Sequence, residues 1–164
     1  VLQPKVAGVP LLIPFAWLMM LPPAWGVAAS VLPCRDLQPS LKAELAFSGV
    51  SALAFTAWDL FLDPQMVAWN FWVGQDTGGY FGIPWTNYLG WLLVSAIVTA
   101  FLRPRKLPVN ALIVIYAITW ALESIGQTFF WELPGPALFG FLGMGGMLAW
   151  ALLKKRLRFS GQAL

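Results

Sequence analysis

Four apolar stretches, each long enough to cross a lipid bilayer, restrict the folds open to this chain more than any other feature. They are residues 43–62, 86–102, 109–131 and 135–153. A membrane-spanning helix needs roughly 20 mostly apolar residues, and in lipid every backbone polar group must find its partner within the protein. With 59% hydrophobic residues and a mean hydropathy of +0.72, residues 1–164 are predicted to form one all-α, polytopic transmembrane helical bundle.

A fifth apolar stretch, residues 9–31, carries several prolines. Pro10, Pro14 and the adjacent Pro22 and Pro23 are expected to kink or split a helix, because proline lacks the backbone N–H and clashes with the preceding turn. This stretch is therefore either a bent, proline-broken span or a re-entrant segment. Counting it as a span gives about five crossings.

The basic residues indicate how the bundle is oriented. Loops on one side carry nine of the ten Lys and Arg residues, and the other side carries Lys5. The nine are Arg35, Lys42, Arg103, Arg105, Lys106, Lys154, Lys155, Arg156 and Arg158. Because short basic loops favour the cytoplasm, the N-terminus is predicted outside and the C-terminus in the cytoplasm. The loop of residues 63–85 then lies on the outer side.

Several classes of chemistry are excluded by the composition. The chain has no histidine and a single cysteine, Cys34, so it offers no imidazole as a base or metal ligand and no internal disulfide. We therefore expect no metal site and no cofactor. The basic residues are scattered at helix ends without a patch for nucleic acid, so the expected surroundings are the lipid bilayer.

Two aspartates near the outer end of the stretch 43–62 are the strongest candidates for chemistry. Asp59 and Asp63 are spaced i and i+4, which puts both carboxyl groups on one helical face about one turn apart. Two such acids in a poorly hydrated place do not both ionise readily, so one is expected to hold a proton near neutral pH. Asp63 has a second interpretation as the N-cap of a short helix over residues 64–73.

Glu123 and Gln127 lie one turn apart at a similar depth in the stretch 109–131. A lone Glu costs about 2 to 3 kcal/mol to insert at this depth, so it is expected to face the bundle interior. It then either shares a cavity with the two aspartates or joins two helices through a hydrogen bond.

Candidate substrate contacts lie close to these acids in the predicted bundle: Trp58, Tyr80, Asn87, Trp91 and Gln127. Thr86 or Asn87 is expected to cap the next helix, and the amide of Asn87 has a second interpretation as a group that orients water. Most of the tryptophans are interpreted as an interfacial belt. The last stretch carries four glycines that indicate close helix packing or a groove for a flat polyene: Gly140, Gly143, Gly145 and Gly146.

Several segments resemble the carotenoid biosynthesis protein family, typified by carotenoid 1,2-hydratases and bisanhydrobacterioruberin hydratases. They are the string WDLFLDP from Trp58 to Pro64, the block GYFGIPWTNYLGW from Gly79 to Trp91, Glu123, and the segment 134–137 leading to 143–145. The resemblance covers about residues 42–156. Its first two blocks are long and unusual enough to be specific.

The resemblance implies an enzyme of a bacterial or archaeal cytoplasmic membrane that adds water to the terminal double bond of an acyclic carotenoid, giving a tertiary 1-hydroxy group. Asp59 is then the candidate acid, and Asp63 or Glu123 is the carboxylate that guides water. Tryptophan faces would stabilise the intermediate cation. The expected partner is a carotenoid or another isoprenoid polyene.

Two other functions stay open. Family members usually carry more helices ahead of the aspartate and proline string than the one proline-rich stretch found here, which leaves room for missing upstream residues or for a relative without activity. Such a relative would be a carotenoid-binding structural subunit of a pigment-protein complex, for instance a photosynthetic one. The third possibility resembles the small membrane lycopene cyclases, in which an internal alkene captures the cation in place of water.

Overall fold

The computed structural model describes residues 4–6, 9–32, 40–71 and 78–161. Within them it has five helices that are long and apolar enough to cross a membrane. These are α1 (Leu12–Val31), α2 (Leu41–Ala68), α3 (Trp85–Leu102), α4 (Val109–Phe129) and α5 (Pro134–Gly161). The prediction of an all-α transmembrane bundle with about five spans is confirmed. Cys34, Arg35 and the residues 72–77 of the outer loop lie outside the described residues.

The proline-rich first stretch forms one helix. α1 runs for 20 residues through Pro22 and Pro23 without a break, and it begins two residues after Pro10. Ahead of it, the short strands β1 (Lys5–Val6) and β2 (Val9–Pro10) pair in antiparallel fashion. The helix is long and apolar enough to cross a membrane, whereas the expected break at the prolines is wrong.

Local sequence explains where several helices begin and end. Ser40 caps α2, because its side-chain oxygen accepts a hydrogen bond of 3.2 Å from the Ala43 N–H. α3 ends at Arg103, which adopts a left-handed conformation with φ of 45° and is followed by a proline that cannot continue the helix. Pro134 opens α5, a position where its missing N–H is not needed.

α2 is the central helix of the bundle. It packs against α1, α3 and α5, and α4 packs against α1 and α5 on the far side. The Tyr116 hydroxyl of α4 reaches across to donate a hydrogen bond of 2.8 Å to the Ala54 carbonyl of α2. The core where these helices meet is built from large buried side chains: Met20, Phe55, Trp58, Phe61, Tyr116 and Met144.

The glycines of α5 allow it to lie close to α2 and α4. A Cβ atom at Gly140 would lie 2.6 Å from the Phe61 ring, and one at Gly143 would lie 2.9 Å from the Leu60 side chain. Gly145 faces the Trp120 indole, whereas Gly146 faces open space. Close helix packing is therefore the correct interpretation at the first three glycines, and the alternative of a polyene groove along them is wrong.

Polar contacts join the basic end of the bundle. Arg105, between α3 and α4, forms an ion pair of 2.5 Å with Glu44 in the first turn of α2. Lys155 of α5 donates a hydrogen bond of 2.6 Å to the side-chain oxygen of Asn110 in α4. These residues lie at the opposite end of α2 from Asp59 and Asp63, as the basic loops predict. Which end faces the cytoplasm stays a prediction.

Candidate active site

Two aspartates lie buried side by side where α2 faces α3. Asp59 is 0% exposed and Asp63 is 4% exposed, and their carboxyl groups are within hydrogen-bonding reach of each other. Among the described residues, neither forms an ion pair with Lys or Arg. Two acids that share a site without a neutralising cation favour a state in which one proton lies between them.

Asn87 completes this pair from the first turn of α3. Its side-chain amide donates to Asp63 Oδ2, and the same nitrogen lies 3.5 Å from Asp59 Oδ2. The N-cap of α3 is Pro84, and no side chain caps the helix. The capping interpretation of Thr86 and Asn87 is therefore wrong, and the amide of Asn87 serves the two acids.

α2 continues past the aspartates, which overturns the predicted short helix over residues 64–73. The helix runs unbroken through Pro64 to Ala68, so Asp63 is an interior residue and not a cap. Pro64 has no N–H to donate to the Leu60 carbonyl one turn earlier. The Tyr80 hydroxyl takes over that role with a hydrogen bond of 3.0 Å.

Tyr80 belongs to a tight loop that packs against the turn of α2 that carries the acid pair. Residues 78–83 fold back on themselves through the bridges Gly78 to Gly82 and Tyr80 to Ile83. Burial raises the pKa of the Tyr80 hydroxyl above its ordinary value, and the charge of Asp59 adds to the rise. The phenol therefore stays a hydrogen-bond donor. Its contact is with the backbone of α2, so Tyr80 holds the loop in place.

Tyr88 is a site residue that the sequence did not single out. It lies on α3 next to Asn87, is 6% exposed, and meets the Tyr80 ring edge-on at 5.3 Å. Its hydroxyl has no hydrogen-bond partner among the described residues, and the same is true of Asp59 Oδ1. The order Asn-Tyr at a helix start looks like an ordinary cap and interfacial aromatic, so local sequence carries no sign of this role.

An aromatic cluster lies beside the acid pair. Trp17 of α1 stacks on Trp91 of α3 at 5.1 Å, and Phe55 of α2 contacts both rings, at 4.7 and 5.3 Å. Trp58 joins the cluster from the core, 5.8 Å from Phe55 and 6.3 Å from Trp91. Electron-rich ring faces next to an acid are suited to a carbocation.

A membrane-facing groove of about 500 Å³ runs between α1 and α3. Its lining is apolar throughout: Ile13, Pro14, Trp17, Leu18, Leu21, Pro22, Trp25, Val94, Val98 and Leu102. Trp17 belongs to both the groove and the aromatic cluster. A smaller cavity of about 40 Å³ shares Ile13 with the groove and is lined by Leu62, Met66 and Trp91 near the acids. The two spaces thus share Ile13, and the smaller one borders Leu62, the neighbour of Asp63, although neither space is lined by an aspartate.

Glu123 and Gln127 form a separate group on another side of α2. The side-chain amide of Gln127 donates a hydrogen bond of 2.9 Å to the Phe61 carbonyl and one of 3.4 Å to Glu123 Oε2. Phe61 packs on Gly140 of α5, whereas the aspartates face Asn87 of α3. The hydrogen bonds described by the structure thus do not link Glu123 to either aspartate. They fit the interpretation in which Glu123 and Gln127 join helices.

These features define a polytopic membrane protein with a buried two-carboxylate site beside an apolar groove. The chain matches the carotenoid biosynthesis protein family over residues 1–147 and belongs to that family. The matched range includes α1. Over 39 residues the chain is 46% identical to a bisanhydrobacterioruberin hydratase of Haloarcula japonica, and this stretch covers 24% of the chain and 13% of that relative. No solved structure matches the chain.

Proposed function

We propose that this protein adds water across the terminal double bond of an acyclic carotenoid and produces a tertiary alcohol. The observation that carries the proposal is the buried pair of Asp59 and Asp63 beside an aromatic cluster and a lipid-facing groove. Membership of the carotenoid biosynthesis family and the short match to a hydratase support the substrate class and the reaction. The protein is proposed to work in a bacterial or archaeal cytoplasmic membrane, with the acids nearer the outer face.

In this reaction Asp59 is the acid. The Asn87 amide donates to Asp63 and so favours the charged form of that carboxyl, whereas Asp59 is wholly buried and has an unpartnered oxygen. The shared proton is therefore assigned to Asp59. It passes to the less substituted carbon of the terminal alkene and leaves a tertiary carbocation beside the aromatic cluster. Water adds to the cation and returns one proton to a carboxylate, so the site is regenerated.

The polyene chain is proposed to lie in the groove between α1 and α3. From Ile13 to Trp25, α1 spans about 18 Å at the usual helical rise, which is long enough for several conjugated units. At the Trp25 end of the groove, the indole N–H donates a hydrogen bond of 2.9 Å to the Thr99 hydroxyl. The indole N–H of this wall residue therefore already has a partner. The apolar lining suits a hydrocarbon chain.

Pigment analysis tests the proposal directly. Expression in a host that accumulates an acyclic carotenoid is expected to yield a more polar product that is heavier by one water. Asp59→Asn and Asp63→Asn should each lower the yield by about 100-fold or more, because general acid catalysis contributes this much. Glu123→Gln is the matched control and should retain activity.

Two results would contradict hydration, and a third would contradict the role of the acid pair. A product with the mass of the substrate and shifted absorption would indicate a cyclase. Unchanged pigment together with stoichiometric co-purification in a pigment complex would indicate a structural subunit. Full activity of both aspartate variants would remove the acid pair from the mechanism.

A further inference from the structure

Two buried polar atoms at the acid pair lack partners among the described residues. They are Asp59 Oδ1 and the Tyr88 hydroxyl, on residues that are 0% and 6% exposed. Leaving a buried polar group unsatisfied costs about 1 to 3 kcal/mol. Each such group in a folded protein calls for an explanation, and a catalytic role or a bound water is among them.

The two atoms belong to one small region. Tyr88 follows Asn87, whose amide touches both aspartates, and it packs in one cluster with Tyr80 and with Leu60, the neighbour of Asp59. Tyr80 closes the region from the loop side, with its ring against Tyr88 and its own hydroxyl engaged by the Leu60 carbonyl. Tyr80 therefore leaves the Tyr88 hydroxyl free for a ligand.

The chemistry of these atoms selects the ligand. A carboxyl oxygen accepts a hydrogen bond, and a phenol both donates and accepts one. A small molecule that donates to the first and pairs with the second satisfies both, and water does so within a confined polar space. An apolar substrate carbon pairs with neither atom.

We propose that Asp59 Oδ1 and the Tyr88 hydroxyl hold the water molecule that captures the carbocation. This inference rests on the proposed hydratase function and deepens it. Asp59 gives its proton to the alkene and becomes a carboxylate. The held water then forms the new C–O bond, and its O–H bond breaks as the proton goes to Asp59. Asp59 thus serves first as the acid and then as the base. Tyr88 keeps water beside the cation, so that the cation is captured by water instead of losing a proton.

The test replaces Tyr88 by Phe and follows the reaction in D2O. In Tyr88→Phe the cation still forms but lacks positioned water, so it loses a proton and returns to an alkene. We expect the hydrated product to fall by about ten-fold or more, since positioning of a reactant is lost. The recovered substrate should contain deuterium. Tyr116→Phe, which removes a buried hydroxyl on α4, is the matched control and should still hydrate.

Each outcome separates the inference from the proposed function. Absence of hydration by the unmodified protein overturns the proposed function. If the Tyr88→Phe variant hydrates the carotenoid at the wild-type level, only the role of Tyr88 is overturned. The role of Tyr88 is also overturned if Tyr88→Phe elutes as folded protein in detergent but loses both hydration and deuterium incorporation. Tyr88 would then act at the protonation step.

Discussion

Asn87 reaches both candidate acids with one amide nitrogen. From the first turn of α3, it donates to Asp63 and lies 3.5 Å from Asp59. A neutral donor of this kind offsets the repulsion between two carboxyl groups without adding a cation that would quench the acid. Its loss should therefore affect both stability and catalysis.

Replacing Asn87 by Ala is expected to lower the free energy of unfolding by about 1 to 3 kcal/mol, because buried carboxyl oxygens lose their donor. The rate of hydration should fall as well. Thr86→Ala, at the exposed neighbouring position, is the control and should change neither quantity. Denaturant unfolding in detergent and pigment conversion provide the two measurements. Equal stability of the two variants would contradict this role of Asn87.

The spacing of Asp59 and Asp63 predicted a shared helical face, and the structure has it, because i and i+4 geometry depends on one helix alone. Glu123 shows the limit of the same reasoning. Its depth in the membrane follows from sequence, but its direction around α4 depends on how α4 packs. Tyr88 was missed because its unpartnered hydroxyl is a property of the whole interface between α2 and α3.

Pro64 shapes the acid-bearing helix as an element. It removes one backbone donor from α2, and the loop residue Tyr80 compensates at the Leu60 carbonyl. The next carbonyl, of Phe61, is bonded by Gln127 from α4. Two neighbouring elements are thus attached to α2 at the turn that carries the aspartates.

A double-mutant cycle measures this attachment. Tyr80→Phe alone should lower the free energy of unfolding by about 1 kcal/mol, because the Leu60 carbonyl loses its donor. In a Pro64→Ala background the backbone N–H at position 64 can bond the same carbonyl, so the further loss should be smaller. Unfolding in detergent of the unmodified protein, the two single variants and the double variant gives the coupling free energy between positions 64 and 80. An equal effect of Tyr80→Phe in both backgrounds would show that the two residues act independently.

Local sequence misassigned this element for a physical reason. Asp followed by Pro suits the start of a helix, because proline at the first position loses no hydrogen bond. Inside α2 the same pair is stable because Tyr80, 20 positions after Leu60, supplies the missing donor to the Leu60 carbonyl. A pattern of adjacent residues does not contain that contact.

The helical bundle as a whole has one tightly packed side and one side with an open groove. α5 fits tightly against α2 at Gly140 and Gly143, whereas α1 and α3 leave a groove of about 500 Å³ between them. The sequence predicted the five spans well, because their length and hydropathy are local properties. It suggested a polyene groove along the α5 glycines, since small residues do not show which neighbouring side chains fill the space above them.

Blocking the groove should weaken substrate binding. Val94 lines it and is 47% exposed, so Val94→Trp is expected to fill the groove without disturbing the core. The apparent KM for the carotenoid should rise several-fold. Ile97→Trp is the control, because Ile97 is 57% exposed on the same helix and does not line the groove. The rate of conversion in membranes of varied carotenoid content gives the apparent KM of each variant. An equal effect of the two substitutions would mean that the polyene binds elsewhere.

α3 packs chiefly along α2 and meets α1 mainly through aromatic and polar tips such as Trp91 and Thr99. Changes on its groove face therefore have few neighbours whose packing they can upset. If the polyene binds in the groove as proposed, α3 is the helix on which new substrate preferences can accumulate at little loss of folding stability. A library restricted to Val94, Val98 and Leu102 is where directed evolution toward shorter or longer polyenes should begin.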